Sequence, residues 1–112
     1  MDLMRAVVYR GPEDLKVEKV EVPEISEDEI LIKVKAAGVC GTDIRIYHAF
    51  FRVPIKLGRI IGHELAGDIV EVGKKVKDLR EEMRVTVRPI VHCGKCLYCL
   101  QGKTNICVSR PT

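Results

Sequence analysis

Four of the chain's five cysteines lie within fifteen residues, and this cluster constrains the local fold more than any other feature. The stretch HCGKCLYCLQGKTNIC covers residues 92–107 and contains Cys93, Cys96, Cys99 and Cys107. Two residues separate Cys93 from Cys96 and Cys96 from Cys99, so these neighbouring thiols can reach one ion from a tight turn, and seven further residues lead to Cys107. Structural zinc takes four ligands in a tetrahedron, and four thiolates complete that set. The spacing predicts a closed metal site that stabilises a lobe and leaves no position for chemistry.

Two alternatives to zinc remain open on spacing alone. The pattern C-x₂-C-x₂-C also occurs in iron–sulfur proteins, and buried free thiols or a redox pair are a further possibility. The odd number of cysteines, five, excludes complete disulfide pairing. In a reducing compartment, clustered cysteines favour a metal over disulfides. Zinc is the favoured interpretation, with Lys95 and Lys103 offsetting the charge of four thiolates.

Charge and hydropathy limit the partners and the location of the chain. Nineteen basic and sixteen acidic residues give a net charge of +3. Charges of both signs are mixed along the chain, so no nucleic-acid or membrane partner is expected. No apolar run reaches the roughly 18 residues that a membrane span needs. The first fifteen residues lack the apolar core of a signal peptide, so the expected location is cytoplasmic.

Alternating and β-branched stretches between turn residues predict a mainly β domain over residues 1–112. The predicted strands are Met4–Arg10, Leu15–Val22, Glu29–Ala37, Leu65–Val72 and Met83–Val91. Short helical segments are expected at Thr42–Phe50 and Leu97–Gly102. A change of parity in the second strand predicts a bulge or a twist near Glu18-Lys19. The chain has no G-x-G-x-x-G motif, so a nucleotide-binding sheet is not expected within it.

A second set of potential ligands lies upstream of the cysteine cluster. Cys40 stands between two glycines in GVCGTD, and His63 and Glu64 follow in GHE. A catalytic zinc needs three protein ligands and one open position, and these side chains are chemically suitable. Their separation along the chain means that only a fold could bring them together. Taken singly, Cys40 fits a buried thiol and His63 a structural histidine equally well.

Three motifs in order resemble the zinc-dependent medium-chain alcohol dehydrogenase family, in the style of threonine and sorbitol dehydrogenases. The motifs are GVCGTD, GHELAGDIVEVG and RVTVRPIVHCGKCLYCLQGKTNIC, and the resemblance extends from Met4 to about Cys107. It implies a GroES-like, partly open β-barrel that lacks the Rossmann domain. It also implies a zinc-stapled lobe at about residues 92–108, which we call the cysteine lobe.

The resemblance also implies roles for individual residues. Cys40 and His63 would bind a catalytic zinc, with Glu64 as a third ligand or a close neighbour. Thr42 would pass the proton of the alcohol, and Asp43 would orient His63. Zinc would then act as a Lewis acid on a small alcohol or polyol, and hydride would pass to NAD or NADP.

Two positions depart from the family's pattern. Many members have a histidine five residues after the ligand cysteine, where this chain has Arg45. His48 lies about one helical turn further and is the candidate for that place in the proton relay, although a surface or pocket-wall position is an alternative. Glu82-Met83 replaces the usual Gly-Asp, so that turn is expected to be strained or rebuilt as a helical turn.

Further expectations concern what a complete enzyme needs. The family's nucleotide-binding domain and remaining catalytic-zinc ligand lie beyond a position equivalent to Thr112. Residues 1–112 alone are therefore expected to be inactive and to need a nucleotide-binding half. Tyr47, His48, Phe50 and Phe51 are candidates for the pocket wall, with structural packing as the alternative for the two phenylalanines. The non-enzymatic alternative is a stand-alone zinc-stapled β-domain that serves in binding or assembly. Exposed strand edges also make a homodimer possible.

Overall fold

The structure, a computed structural model, describes residues 2–50 and 54–110. Two antiparallel sheets form most of it, with strand order β1-β2 in one and β3-β4-β5 in the other. The strands are β1 Leu3–Gly11, β2 Asp14–Glu21, β3 Ile30–Gly38, β4 Glu64–Val72 and β5 Arg84–Thr86. The helices are α1 Gly41–Tyr47 and α2 Leu97–Leu100, followed by a 3-10 turn at Thr104–Ile106. The candidate pocket residue Phe51 lies outside the described residues.

The first sheet is a hairpin whose pairing has no bulge at the predicted position. Pairing runs without a shift from Leu3 opposite Glu21 to Tyr9 opposite Leu15, and the irregularity falls between Tyr9 and Gly11. The predicted bulge near Glu18-Lys19 is therefore wrong. Val17 is 70% exposed, so the change of parity comes from an apolar side chain on the outer face, not from an inserted residue.

A segment after α1 pairs with the free edge of β1. Val8 bridges Ile60 in antiparallel fashion. The amide of Tyr9 donates to the Arg59 carbonyl at 2.9 Å, and the amide of Ile61 donates to the Val7 carbonyl at 3.2 Å. These bonds satisfy backbone groups that would otherwise be unpaired at a strand edge. They hold residues 58–61 against the first sheet, directly before His63.

The second sheet depends on close contact between β3 and β4. A Cβ at Gly67 would collide with the carbonyl oxygen of Lys33, so only glycine fits there. Ile69 on β4 is almost completely buried. β5 is much shorter than the predicted Met83–Val91. Pro89 lacks an amide hydrogen and cannot donate to a ladder bond with β4, which limits how far such a strand can extend.

Helix α1 is shorter than the predicted segment Thr42–Phe50, because the chain leaves helical geometry after Tyr47. Ala49 has a φ of 58°, which is incompatible with continuing the helix. The buried side chains of the helix are Asp43 and Ile46. Helix α2 falls within the predicted turn Leu97–Gly102.

The turn before β5 takes the strained form, not the helical one. The amide of Met83 donates to the carbonyl of Arg80 at 3.4 Å. Glu82 has a φ of 70°, in the left-handed region that favours glycine. Glutamate therefore stands in a conformation that favours glycine, at a turn where the resemblance implies a glycine.

The two sheets do not close into a complete barrel within the described residues. The buried apolar side chains there are few, namely Val8, Tyr9, Ile46, Ile69 and Cys107. All strand pairings in residues 2–50 and 54–110 are antiparallel, unlike those of a Rossmann sheet. Among the helices described, none has the length and apolar character needed to cross a membrane. The architecture is mainly β and partly open, as predicted.

Candidate functional site

The cysteine lobe brings all four of its thiols to one point. The sulfur atoms of Cys93, Cys96, Cys99 and Cys107 lie within 4.8 Å of one another. Cys93 and Cys99 are 3.9 Å apart, and Cys96 and Cys107 are 4.0 Å apart. A disulfide needs about 2.05 Å between its sulfurs, so none is formed. Four sulfurs around one zinc at 2.3 Å would be separated by about 3.8 Å, which matches this arrangement.

Backbone amides point at the sulfurs and favour their ionised form. The amides of Lys95 and Cys96 lie 3.5 and 3.2 Å from Cys93 Sγ, and they lower the pKa of that thiol. The amide of Cys99 lies 3.5 Å from Cys96 Sγ and, with the amide of Val108, lowers the pKa of Cys96 to about 6. Burial raises the pKa of Cys99 to about 12.

The donors of the lobe therefore fit a closed tetrathiolate zinc site. All four ligands are soft sulfurs, their spacing is tetrahedral in size, and amide donors surround them. The lobe is also tied to the chain that leads into it, because Arg88 Nη2 donates to Thr104 Oγ1 at 2.7 Å. A metal held here would stabilise the lobe without reaching a substrate.

The second group of predicted ligands, Cys40, His63 and Glu64, also meets in space, and we call it the Cys40 cluster. One ligand atom from each residue lies within 4.8 Å of the other two. Cys40 follows β3 and begins α1 as its N-cap residue. His63 directly precedes β4, and Glu64 is its first residue. The pairing of β3 with β4 is what joins residues so far apart along the chain.

Asp43 connects the two metal-ligating segments. Its Oδ2 accepts a hydrogen bond of 2.9 Å from the Cys40 amide, which fixes the start of α1. Its Oδ1 is buried without a hydrogen-bond partner and faces His63 Nδ1 at 3.8 Å. A buried carboxylate oxygen needs a donor, and a small rotation of the imidazole would supply one. Nε2 of His63 would then be left for a metal.

The Cys40 cluster fits a catalytic type of zinc site better than a structural one. It offers one sulfur, one nitrogen and one carboxylate oxygen, from two half-buried residues and from Glu64, which is exposed. Three protein ligands leave a position free for another group. Beside it, an open cleft of about 740 Å³ is lined by small residues of β3 and β4, with His63 and Glu64 at its edge.

The two predicted relay residues lie in different surroundings. Thr42 is half-buried on α1, with Oγ1 3.8 Å from Cys40 Sγ. His48 is at the end of the same helix, and its Nδ1 is 3.5 Å from Glu13 Oε1 in the β1-β2 turn. Its ring stacks on Phe50 with 5.8 Å between the centroids. Thr42 is therefore beside the Cys40 cluster, whereas the contacts of His48 favour the alternative of a surface position.

Comparison with known proteins places this geometry in a family. The alcohol dehydrogenase GroES-like domain family matches residues 26–112. The chain belongs to this family of zinc-dependent medium-chain dehydrogenases. Sorbitol dehydrogenase of Bombyx mori is 42% identical over 109 residues, which cover 92% of this chain and 30% of the relative. L-threonine 3-dehydrogenase of Bacillus licheniformis is 39% identical over 107 residues, or 93% of this chain and 31% of the relative.

Solved structures of family members agree with the fold. A cobalt- and zinc-bound thermostable alcohol dehydrogenase from Pyrobaculum aerophilum superposes with a TM-score of 0.88 at 32% identity, covering 97% of this chain and 33% of that one. A zinc-binding dehydrogenase from Sinorhizobium meliloti bound to NADP gives 0.87 at 35% identity, covering 100% and 32%. The chain thus spans about a third of the length of the family members that it matches.

One residue beside the Cys40 cluster, Gly38, belongs to no sequence pattern that would identify it as functional. Gly38 lies directly opposite Glu64 in the β3-β4 ladder, and Glu64 Oε2 is close to where a Cβ of residue 38 would be. In the sequence, Gly38 is only one of the two glycines on either side of Cys40. Its relation to Glu64 depends on the strand register, which sequence alone does not supply.

Proposed function

We propose that the protein contributes the N-terminal part of the catalytic domain of a zinc-dependent alcohol or polyol dehydrogenase, which oxidises a primary or secondary alcohol with NAD(P). The observation that carries this proposal is the meeting of Cys40, His63 and Glu64 ligand atoms within 4.8 Å. Membership of the dehydrogenase family supports it. A domain stabilised by its cysteine lobe alone would not need this second ligand set.

Each residue of the site has a defined task in this proposal. Cys40, His63 and Glu64 hold the ion, whose chemistry when bound is Lewis-acid lowering of the pKa of an alcohol. Asp43 keeps His63 in one tautomer and orientation. Thr42 accepts the alcohol's proton at Oγ1 and passes it toward solvent. We propose no relay role for His48, because its nearest charged partner is Glu13.

The proposed use of a nucleotide is supported by relatives of this chain. A family member from Sinorhizobium meliloti is bound to NADP, and nicotinamide supplies the acceptor for hydride. Residues 1–112 contain no Gly-rich phosphate loop, so the nucleotide would bind to a separate half of the enzyme. A cytoplasmic location is also proposed, since an oxidising compartment would favour pairing of the five free cysteines.

Metal content tests the proposal directly. We expect two zinc ions per chain in the purified protein by elemental analysis beside intact mass. Cys40→Ser should remove one ion and Cys96→Ser the other, because the two ligand sets share no residue. A single ion that is lost in Cys96→Ser but retained in Cys40→Ser would contradict the proposal. The protein would then be a zinc-stapled binding or assembly domain.

Turnover tests the reaction itself. The protein combined with a nucleotide-binding half is expected to reduce NAD or NADP when given a simple alcohol, a polyol or threonine, as followed by the absorbance of NADH or NADPH. Residues 1–112 alone are expected to show no turnover under the same conditions. Zinc-dependent turnover by residues 1–112 would contradict the assignment of the nucleotide site to a separate half.

A further inference from the structure

Gly38 and Glu64 occupy facing positions in the second sheet. Gly38 ends β3, Glu64 begins β4, and the two are directly opposite in the antiparallel register. Side chains of such a pair project from the same face of a sheet. A Cβ placed on Gly38 would lie 3.0 Å from Glu64 Oε2 and 3.5 Å from Glu64 Cβ. The carboxylate of Glu64 therefore lies over residue 38, in space that another side chain would fill.

The backbone does not explain a glycine at this position. Gly38 is not among the glycines with a positive φ, unlike Gly62 on the other side of the cluster. A non-glycine residue could adopt the same backbone conformation, and it would lose less entropy on folding. The carboxylate of Glu64 occupies the space above residue 38, and this gives a steric reason for the absence of a side chain there.

We propose that Gly38 is a positioning residue for the metal-binding carboxylate. Its missing side chain leaves the room in which Glu64 turns toward Cys40 and His63. This inference rests on the proposed metal function of the Cys40 cluster and adds a residue that ligates nothing. Gly38 would thereby determine where the only carboxylate of the Cys40 cluster lies.

Small displacements matter here, because ligand distances in a metal site are fixed to within about 0.2 Å. An alanine Cβ at 3.0 Å from Oε2 would push the carboxylate by a few tenths of an ångström. The strand itself need not move, since Oε2 is the free end of a flexible side chain. Glu64 is exposed, so its carboxylate can turn into solvent. A substitution at residue 38 would thus alter the metal site while preserving the fold.

Cobalt(II) titration of the metal-depleted protein tests this inference. The signal of the Cys40 cluster is the part of the thiolate–cobalt absorbance that Cys40→Ser abolishes. We expect Gly38→Ala to weaken cobalt binding at this cluster by about tenfold, as substitutions around metal ligands commonly do. Gly38→Val should weaken it further. The matched control is Gly41→Ala, whose Cβ meets no atom within 4 Å, and it should change affinity less than twofold.

A double-mutant cycle shows whether the effect passes through Glu64. In a Glu64→Ala background there is no carboxylate to displace, so Gly38→Ala should have almost no further effect. An equal loss of affinity in both backgrounds would overturn the inference, as would wild-type affinity in Gly38→Ala. Circular dichroism melts establish that each variant is folded. Gly38→Ala alone suffices if Gly38→Val does not fold.

The same titration separates this inference from the proposed function. If Cys40→Ser and the wild type give identical curves, the cluster binds no metal and both fail. If binding depends on Cys40 but not on Gly38, the metal function stands and the role of Gly38 is wrong.

Discussion

Thr42 is the side chain whose role can be tested with the smallest change. Valine has nearly the same shape as threonine but lacks the hydroxyl. We expect Thr42→Val to reduce kcat of the enzyme assembled with its nucleotide-binding half by about 10²- to 10⁴-fold, the usual contribution of a positioned proton-transfer group. Metal content should not change, because Thr42 is not a ligand. Thr42→Ser keeps the hydroxyl and serves as the control. A fully active Thr42→Val variant would contradict the proposed relay.

The shifted pKa values of thiols in the cysteine lobe predict that zinc binding depends on pH. Near pH 7 the metal-free lobe keeps Cys99 protonated, because its pKa is raised to about 12, whereas Cys96, with a pKa of about 6, is mostly ionised. Zinc binding must displace the proton of Cys99. Zinc affinity should therefore rise at least about tenfold per pH unit between pH 7 and pH 9. Competition with a chelator measures it, and an affinity independent of pH would contradict this assignment.

Among the elements, the turn before β5 offers a prediction about stability. Glu82 adopts a φ of 70°, which costs a non-glycine residue roughly 1–2 kcal/mol. Glycine avoids that cost but loses about 0.5–1 kcal/mol of entropy on folding. Glu82→Gly should therefore stabilise the protein by about 0.5 kcal/mol, measured by urea denaturation.

Glu81→Gly is the matched control in the same turn. Glu81 is exposed and does not have a positive φ. The substitution therefore brings only the entropy cost of glycine and should destabilise the protein by up to about 1 kcal/mol. Equal effects of Glu81→Gly and Glu82→Gly would show that the left-handed conformation of Glu82 is not a source of strain.

The elements also show how far sequence reasoning reaches. Strands such as β1 and β4 were predictable because β-branched runs end at turn residues. The family's motifs gave the fold and the candidate ligands, and the spacing of the cysteines indicated the lobe. Pairing register was not predictable, because the outward Val17 on β2 resembles a shifted face. The relation of Gly38 to Glu64 depends on that same kind of long-range register.

On the scale of the whole molecule, the cysteine lobe carries exposed apolar side chains. Leu97 and Leu100 on α2 are 67% and 74% exposed. A rigid lobe with such side chains on its surface favours contact with another surface. We expect residues 1–112 to self-associate at high concentration, as seen by sedimentation velocity, and Leu100→Gln to reduce that association. Val17→Thr changes an equally exposed residue of β2 and should have little effect. Association unaffected by Leu100→Gln would assign the contact to another surface.

The attachment of residues 58–61 to β1 has a consequence for cooperativity. The amides of Tyr9 and Ile61 connect the first sheet to the segment that ends at His63, while Glu64 begins β4 of the second sheet and Cys40 closely follows β3. An ion on these three residues is therefore a cross-link between two sheets that otherwise share few buried side chains. Metal binding would make the hairpin and the three-stranded sheet unfold together, and metal removal would let amide protons of the hairpin exchange independently.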